Sequence, residues 1–305
     1  MSKLSPQLKS LINAPFARPG AVAAPRNMRS VYESIAKDAE SKNVGVPAWL
    51  SIAVSKIPHS NAKGPTDKAS QTGTTMTLNS PESLNTLYQV ASSAPSAPSP
   101  VVTAELMREV GLKCIGFNGV PRTINMLGSF RSSLPKDVIS SLSTTPTREP
   151  NPENISAMSG RGKTLWDSIY NPFHDKLYAK LADSHPDLPV HILHSEYGAL
   201  FSDPPDRERS FPAGAATGRV ITSLIAVACL RTQTGVGPQV LSHVFGLRKA
   251  FDDGTAESED KVKGGKWLAG DEGSSWLLET VDKIVEAIGQ GEGTTFAPTK
   301  RESKL

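Results

Sequence analysis

His243 is the side chain best equipped to move a proton near neutral pH, and its surroundings could hold a small ligand. It lies in the run Gly235-Val-Gly-Pro-Gln-Val-Leu-Ser-His-Val-Phe-Gly-Leu-Arg-Lys-Ala250. Pro238 can open a helix there, because the first N–H groups of a helix have no intrahelical partner. On that helix Val240, Val244, Leu247 and Phe251 make an apolar stripe, and Gln239, His243 and Gly246 share the adjacent face. A polar i, i+4 pair beside a glycine leaves room next to the imidazole, which suits general acid or base catalysis. A histidine hydrogen-bonded within a helix interface fits the same pattern, and both readings stand.

Three other groups carry chemistry-bearing residues. Cys114 is close in sequence to Glu109 and Arg122; a guanidinium can activate a thiol, and a small core residue is the plainer reading. His191, His194 and Glu196, joined by His174 or His243, have the donor types of a metal site. Separate surface histidines explain them equally, so no metal is assigned and no cofactor is expected. Ala157-Met-Ser-Gly-Arg-Gly-Lys-Thr164 has nearly the spacing of a phosphate-binding loop. Ala157 replaces its first glycine, and 151–156 cannot form the strand that such a loop must follow. The segment is expected to be a Gly-rich turn capping the helix that carries Trp166, without nucleotide binding.

The elements that must position these residues are all helical in pattern. Helices are expected over Asn27–Glu40, Pro47–Val54, Pro81–Ala91, Lys163–Leu181, Leu188–Phe201, Glu208–Arg231 and Pro238–Phe251. Val101–Phe130 should form two helices broken at Asn118-Gly119. A last long helix repeats Leu277, Leu278, Val281, Ile284, Val285 and Ile288 at helical spacing. Thr66–Asn79 reads as a polar loop. Ser92–Pro100 and Ser132–Asn154, rich in proline and hydroxyl residues, read as linkers. No alternating run is long enough for a sheet, so the fold class is all-α. The expected divisions are an N-terminal strap or targeting segment (1–26), a helical half (27–131), a linker (132–157), a second helical half (158–288) and a disordered tail (289–305).

The 305 residues carry a formal charge of only +3, with the basic residues dispersed, so nucleic acid is not an expected partner. The longest apolar run, Val220–Leu230, is flanked by Arg219 and Arg231 and is too short to span a bilayer. No membrane insertion is expected. The two cysteines, Cys114 and Cys229, are expected to be free thiols. The final residues Ser303-Lys304-Leu305 have the form of a peroxisomal import signal, read by a soluble receptor from a mobile tail. A rival address lies in residues 1–32, which hold Lys3, Lys9, Arg18, Arg26 and Arg29 and no acid, with Leu4, Leu8, Leu11 and Ile12 able to line a helix face. That is a mitochondrial transit composition; the run Pro15–Pro25 instead looks like an extended strap. The peroxisome is the preferred location.

Two segments carry a family resemblance. One is Arg108-Glu-Val-Gly-Leu-Lys-Cys-Ile-Gly-Phe-Asn-Gly-Val-Pro-Arg-Thr-Ile-Asn-Met-Leu127, a helix ending at a Gly-Val-Pro-Arg corner; the other is the His243 run. Together they resemble the carboxymuconolactone decarboxylase and alkylhydroperoxidase D (AhpD) superfamily, most nearly a fungal-type group of organellar proteins. The resemblance implies an all-helical, homo-oligomeric fold. The Gly119–Arg122 corner precedes His243 by more than a hundred residues, which implies two diverged copies of one helical unit. Alkylhydroperoxidases use Cys-x-x-Cys followed by His, and here Val236 and Gln239 occupy the cysteine positions. Dithiol peroxidase chemistry is therefore not expected. The decarboxylase branch needs no such pair and implies proton transfer by His243, with Gln239, Glu109, Arg122 and Cys114 as further candidates. A small organic acid, lactone or enolisable carbonyl compound would be its substrate. A non-catalytic oligomeric scaffold is the alternative reading, and a residual hydroperoxide-related role is a third.

Overall fold

Helices account for all the regular structure in the computed structural model, which describes residues 4–12, 14, 21–54, 75–233, 235–258 and 260–289. They run α1 (Pro6–Ile12), α2 (Met28–Ser41), α3 (Val46–Val54), α4 (Pro81–Ser92), α5 (Pro100–Lys113), α6 (Ile115–Asn118), α7 (Val120–Ser133) and α8 (Lys136–Ser141). After an irregular stretch come α9 (Ile155–Tyr170), α10 (His174–Ser184), α11 (Asp187–His191) and a π-helix (Ile192–Phe201). The chain ends with α12 (Gly218–Gln233), α13 (Gly237–Asp252), α14 (Gly265–Ala269) and α15 (Asp271–Gly289). The all-α class is thus the observed one, and no strand occurs among the described residues.

The core forms around α12, whose residues from Arg219 to Leu230 are all buried. It packs against α3, α13 and α15. By length and composition Ala213–Gln233 could cross a bilayer, yet 78% of its apolar window lies inside the fold, as in a core helix. Val240, Val244 and Phe251 of α13 pack on this core and Leu247 lies within it, so the expected stripe is present. The α15 stripe is likewise buried at Leu277, Val281, Ile284, Val285 and Ile288. Burying each such side chain contributes roughly 1.5–3 kcal/mol before chain entropy is offset.

A smaller outer layer is made by α9, α10, α11 and the π-helix. Trp166, Ile169, Leu193, Tyr197 and Phe201 form its apolar cluster, and α9 joins it to α13. The two helices at its centre come unusually close. A Cβ placed on Gly162 would lie 2.5 Å from the backbone of Gly198.

Several boundaries differ from the sequence expectation. α9 begins at Ile155, so Gly160-Arg-Gly162 lies inside a helix and is not a capping turn. Gly162 serves packing, as its approach to Gly198 requires, while Gly160 has open space around it. The helix stops at Tyr170 because Pro172 cannot continue it, and the expected Lys163–Leu181 helix is therefore two. The Glu208–Arg231 helix starts only at Gly218 (φ 61°), since Pro212 and Gly214 interrupt what precedes it. The stretch taken as a 132–154 linker contains α8 and is tied to the core by buried Val138 and Leu142. Break and corner at Asn118-Gly119 are as expected: Gly119 has φ 78°, and Pro121 sits in the first turn of α7.

The strap is partly visible. Val22 exchanges bonds with Asn79 and Ser80, and the Ala24 amide donates to Glu82 at the start of α4. Leu8, Leu11 and Ile12 of α1 are exposed, as is Leu4 just before it. The Thr66–Asn79 loop falls on described residues only at 75–79, and the Ser303–Leu305 signal lies outside the described residues.

Candidate functional site

His243 lies in the seam between the core and the outer layer. It projects from α13 between Phe117 of α6 and Tyr170 at the end of α9, both edge-on to its ring with centroids 6.5 and 6.0 Å away. Its Nε2 is 3.3 Å from the Tyr170 hydroxyl, which is in turn 3.0 Å from the Tyr197 hydroxyl on the π-helix. Its Nδ1 is buried and has no hydrogen-bond partner. The residue is only 7% exposed. Burial, with the Arg219 charge adding to it, pushes the imidazole down to about 4, so the ring is neutral at neutral pH. A neutral ring can either donate Nε2–H to the Tyr170 hydroxyl or accept from it, and proton transfer to Nδ1 needs the first form, in which Tyr170 donates on to Tyr197. Nδ1 is then a free acceptor. Burial also raises both phenols, so neither ionises near neutral pH.

The two residues expected beside His243 do not make a pocket with it. Gln239 is exposed to solvent. Gln239 lies in the first turn of α13, where Gly237 and Pro238 are exposed too, so it sits at the open end of the helix while His243, one turn further on, is buried. Gly246 does not leave free room either. A Cβ there would meet the Ile169 side chain at 2.9 Å, so the glycine admits a neighbouring helix and not a ligand.

Cys114, Glu109 and Arg122 are likewise separated. Cys114 is fully buried with its Sγ 3.6 Å from that of Cys229. The contact with Cys229 and burial raise its pKa well above the usual thiol value, the reverse of activation. Neither cysteine forms a disulfide. Glu109 pairs with Arg148 through both carboxylate oxygens and makes no bond to Arg122. Arg122 donates to the Thr77 carbonyl, clasping the 75–79 turn to the Gly119 corner.

Glu109 does line a cavity of about 490 Å³ between α5 and 143–149, together with Glu105, Arg108, Arg148 and Phe211. Two of the three glutamates on its wall have an arginine partner, Arg108 for Glu105 and Arg148 for Glu109; the third is Glu149. One turn further along α5 the wholly buried Lys113 binds Asp203 at 2.8 Å, the Thr222 hydroxyl at 3.2 Å and the Phe201 carbonyl. Burial alone would raise Asp203; the Lys113 charge and hydrogen bond, the Gly218 amide and Arg148 overcome it and hold the carboxyl at about 2.

The histidine-glutamate group does not assemble into a metal centre. His191 is 3.7 Å from Glu196, while His194 turns to the Ser159 hydroxyl. No cluster of His, Cys, Asp or Glu able to hold a metal occurs among the described residues.

Sequence reasoning missed Tyr170, Tyr197 and Arg219. Arg219, at the head of the buried helix α12, was the detectable one, because a charge flanking a largely apolar run must find partners inside. Comparison with protein-family models, with curated proteins and with solved structures gives no match to this chain.

Proposed function

We propose that this chain is a peroxisomal enzyme of small-molecule metabolism, of the carboxymuconolactone decarboxylase-like and AhpD-like type. In it His243 accepts a proton from a small organic acid, lactone or enolisable carbonyl compound. The observation that carries this reading is the orphaned Nδ1 of a neutral, buried imidazole whose other nitrogen is held by the Tyr170–Tyr197 chain. A buried polar atom without a partner destabilises a fold by about 1–3 kcal/mol, and such atoms concentrate where a ligand completes them. Two diverged copies of one helical unit, the Gly119–Arg122 corner in one and the His243 helix in the other, belong to the same proposal. So does homo-oligomerisation, supported by Leu241 and Phe245, which stand exposed one turn apart on α13.

The edge-on packing of Phe117 and Tyr170 around His243 favours a second reading, a non-catalytic AhpD-like scaffold in which the ring only fills the seam. A hydroperoxide-related role has the least support, because both thiols are sealed from solvent.

Location rests on Ser303-Lys304-Leu305. An N-terminal fluorescent fusion is expected in peroxisomal puncta, moving to the cytosol when those three residues are deleted; a shift to mitochondria would make the basic N-terminus the working address. In cells lacking the chain, metabolite profiles should be restored by the wild type and not by His243→Leu. Restoration by His243→Leu would leave the scaffold reading standing.

A further inference from the structure

Arg219 is a buried cation held only by neutral oxygens. It is 7% exposed, and its Nε donates to the Ser168 hydroxyl at 2.9 Å. One terminal nitrogen donates to the Ser223 hydroxyl, and the other to the carbonyls of Gly246 (2.6 Å) and Ser168 (3.3 Å). No carboxylate forms an ion pair with it among the described residues; Asp253 and Glu257 act on it through space, and burial outweighs them to lower its pKa. Its nitrogens are thus hydrogen-bonded, while its charge has no carboxylate in contact, where buried charges are normally paired.

Beside it opens a cavity of about 340 Å³, within the range of small-molecule sites. Arg161 lines the same cavity, and its Nε is buried without a partner. The one acid on the wall, Asp203, is already engaged by Lys113, Thr217 and the Gly218 amide. Arg161 thus brings an unpartnered guanidinium nitrogen to the wall, the buried Arg219 charge lies beside it, and no carboxylate among the described residues forms an ion pair with either. Leu165 and the ring of Phe201 supply apolar wall.

We propose that this cavity binds a small organic carboxylate, its carboxyl group held by Arg161 and favoured by the neighbouring Arg219 charge, and its apolar body set against Leu165 and Phe201. The Arg161 fork matches the planar carboxylate, and the apolar wall disfavours a fully hydrated inorganic anion. His243 does not line this cavity, and binding needs no proton transfer, so this site and the His243 reading stand or fall separately.

The test is calorimetric titration of the full chain with hexanoate, benzoate, hexanamide and inorganic phosphate, in the wild type, Arg161→Gln and Arg207→Gln. Arg207 is a surface control, 85% exposed at its side chain. At least one of the two carboxylates should bind with a Kd of about 1 mM or tighter. Hexanamide and phosphate should bind at least tenfold more weakly, as should the carboxylate to Arg161→Gln, while Arg207→Gln should match the wild type. Arg161 is only partly buried, so its variant should keep the wild-type melt, which is checked alongside. The proposal is overturned if neither carboxylate binds at ~10 mM. It is equally overturned if hexanamide or phosphate binds as tightly, or if Arg161→Gln retains full affinity.

Discussion

Replacing His243 by leucine separates a ring kept for chemistry from one kept for packing. Leucine is close to histidine in volume, so the substitution removes hydrogen bonding with little change in filling. The lost bond is the one to Tyr170, worth about 0.5–1.5 kcal/mol, and Tyr170 keeps Tyr197 at 3.0 Å and is not orphaned. Against that, the variant no longer buries an unpartnered Nδ1, a gain of about 1–3 kcal/mol. The net change near pH 7.5 is therefore between about 0.5 kcal/mol of loss and about 2.5 of gain, with no large fall in the melt. The sign then depends on pH. The imidazole titrates at about 4 in the folded chain and near 6.5 when unfolded. Between those values the unfolded state binds the proton and the folded state does not, so the wild type loses stability as pH falls through that window. By pH 5 this amounts to about 2 kcal/mol that the leucine variant does not lose. Urea unfolding of both proteins at pH 7.5 and pH 5 measures it, and the other five histidines cancel in the comparison. A variant weakened by about 3 kcal/mol or more at pH 7.5, or a difference that does not move with pH, would refute the reasoning.

The thiols and glycines give two further tests. An aromatic disulfide reagent should find no reactive thiol in the native chain and two after unfolding, and no dithiol reductant should support hydroperoxide turnover; rapid native labelling lost in Cys114→Ser would contradict this. Gly162→Ala should lower the melting temperature substantially, because its Cβ would meet the Gly198 backbone at 2.5 Å, while Gly160→Ala, with open space around it, should gain up to about 1 kcal/mol from helix propensity. Equal effects at the two positions would mean that this segment is not the packed helix described.

What was legible in the sequence was periodicity. The stripes of α13 and α15 and the apolar run of α12 are read directly from spacing, since burial of one face is what creates the pattern. Gly119 and Pro121 likewise announce the corner, because a positive φ and a missing N–H are properties of single residues. Long-range pairing was not legible. Nothing local in the proline-rich stretch after Ser132 says that Arg148 will reach Glu109 or that the Ser143 amide will bind Glu105. Gly160 and Gly162 lower helix propensity by about 1 kcal/mol each, so α9 seemed to start after them; contact with the π-helix, invisible in sequence, reverses that. The π-helix matters to the site as well, because its wider turn sets Tyr197 against Tyr170. Gln239 was misplaced because spacing gives the face of a helix and not how far along it the packing extends, and the first turn of α13 is exposed.

The claim on which the proposed chemistry depends is that the His243 ring is neutral and open at Nδ1. Imidazole nitrogen chemical shifts of the ¹⁵N-labelled protein, recorded from pH 8 down to the acid limit of folding, read both properties at once. The resonances of His243, assigned by their loss in His243→Leu, should stay those of a neutral ring protonated at Nε2 down to at least pH 5, with a midpoint near 4. A midpoint between 6 and 7, or a ring protonated at Nδ1, would contradict it.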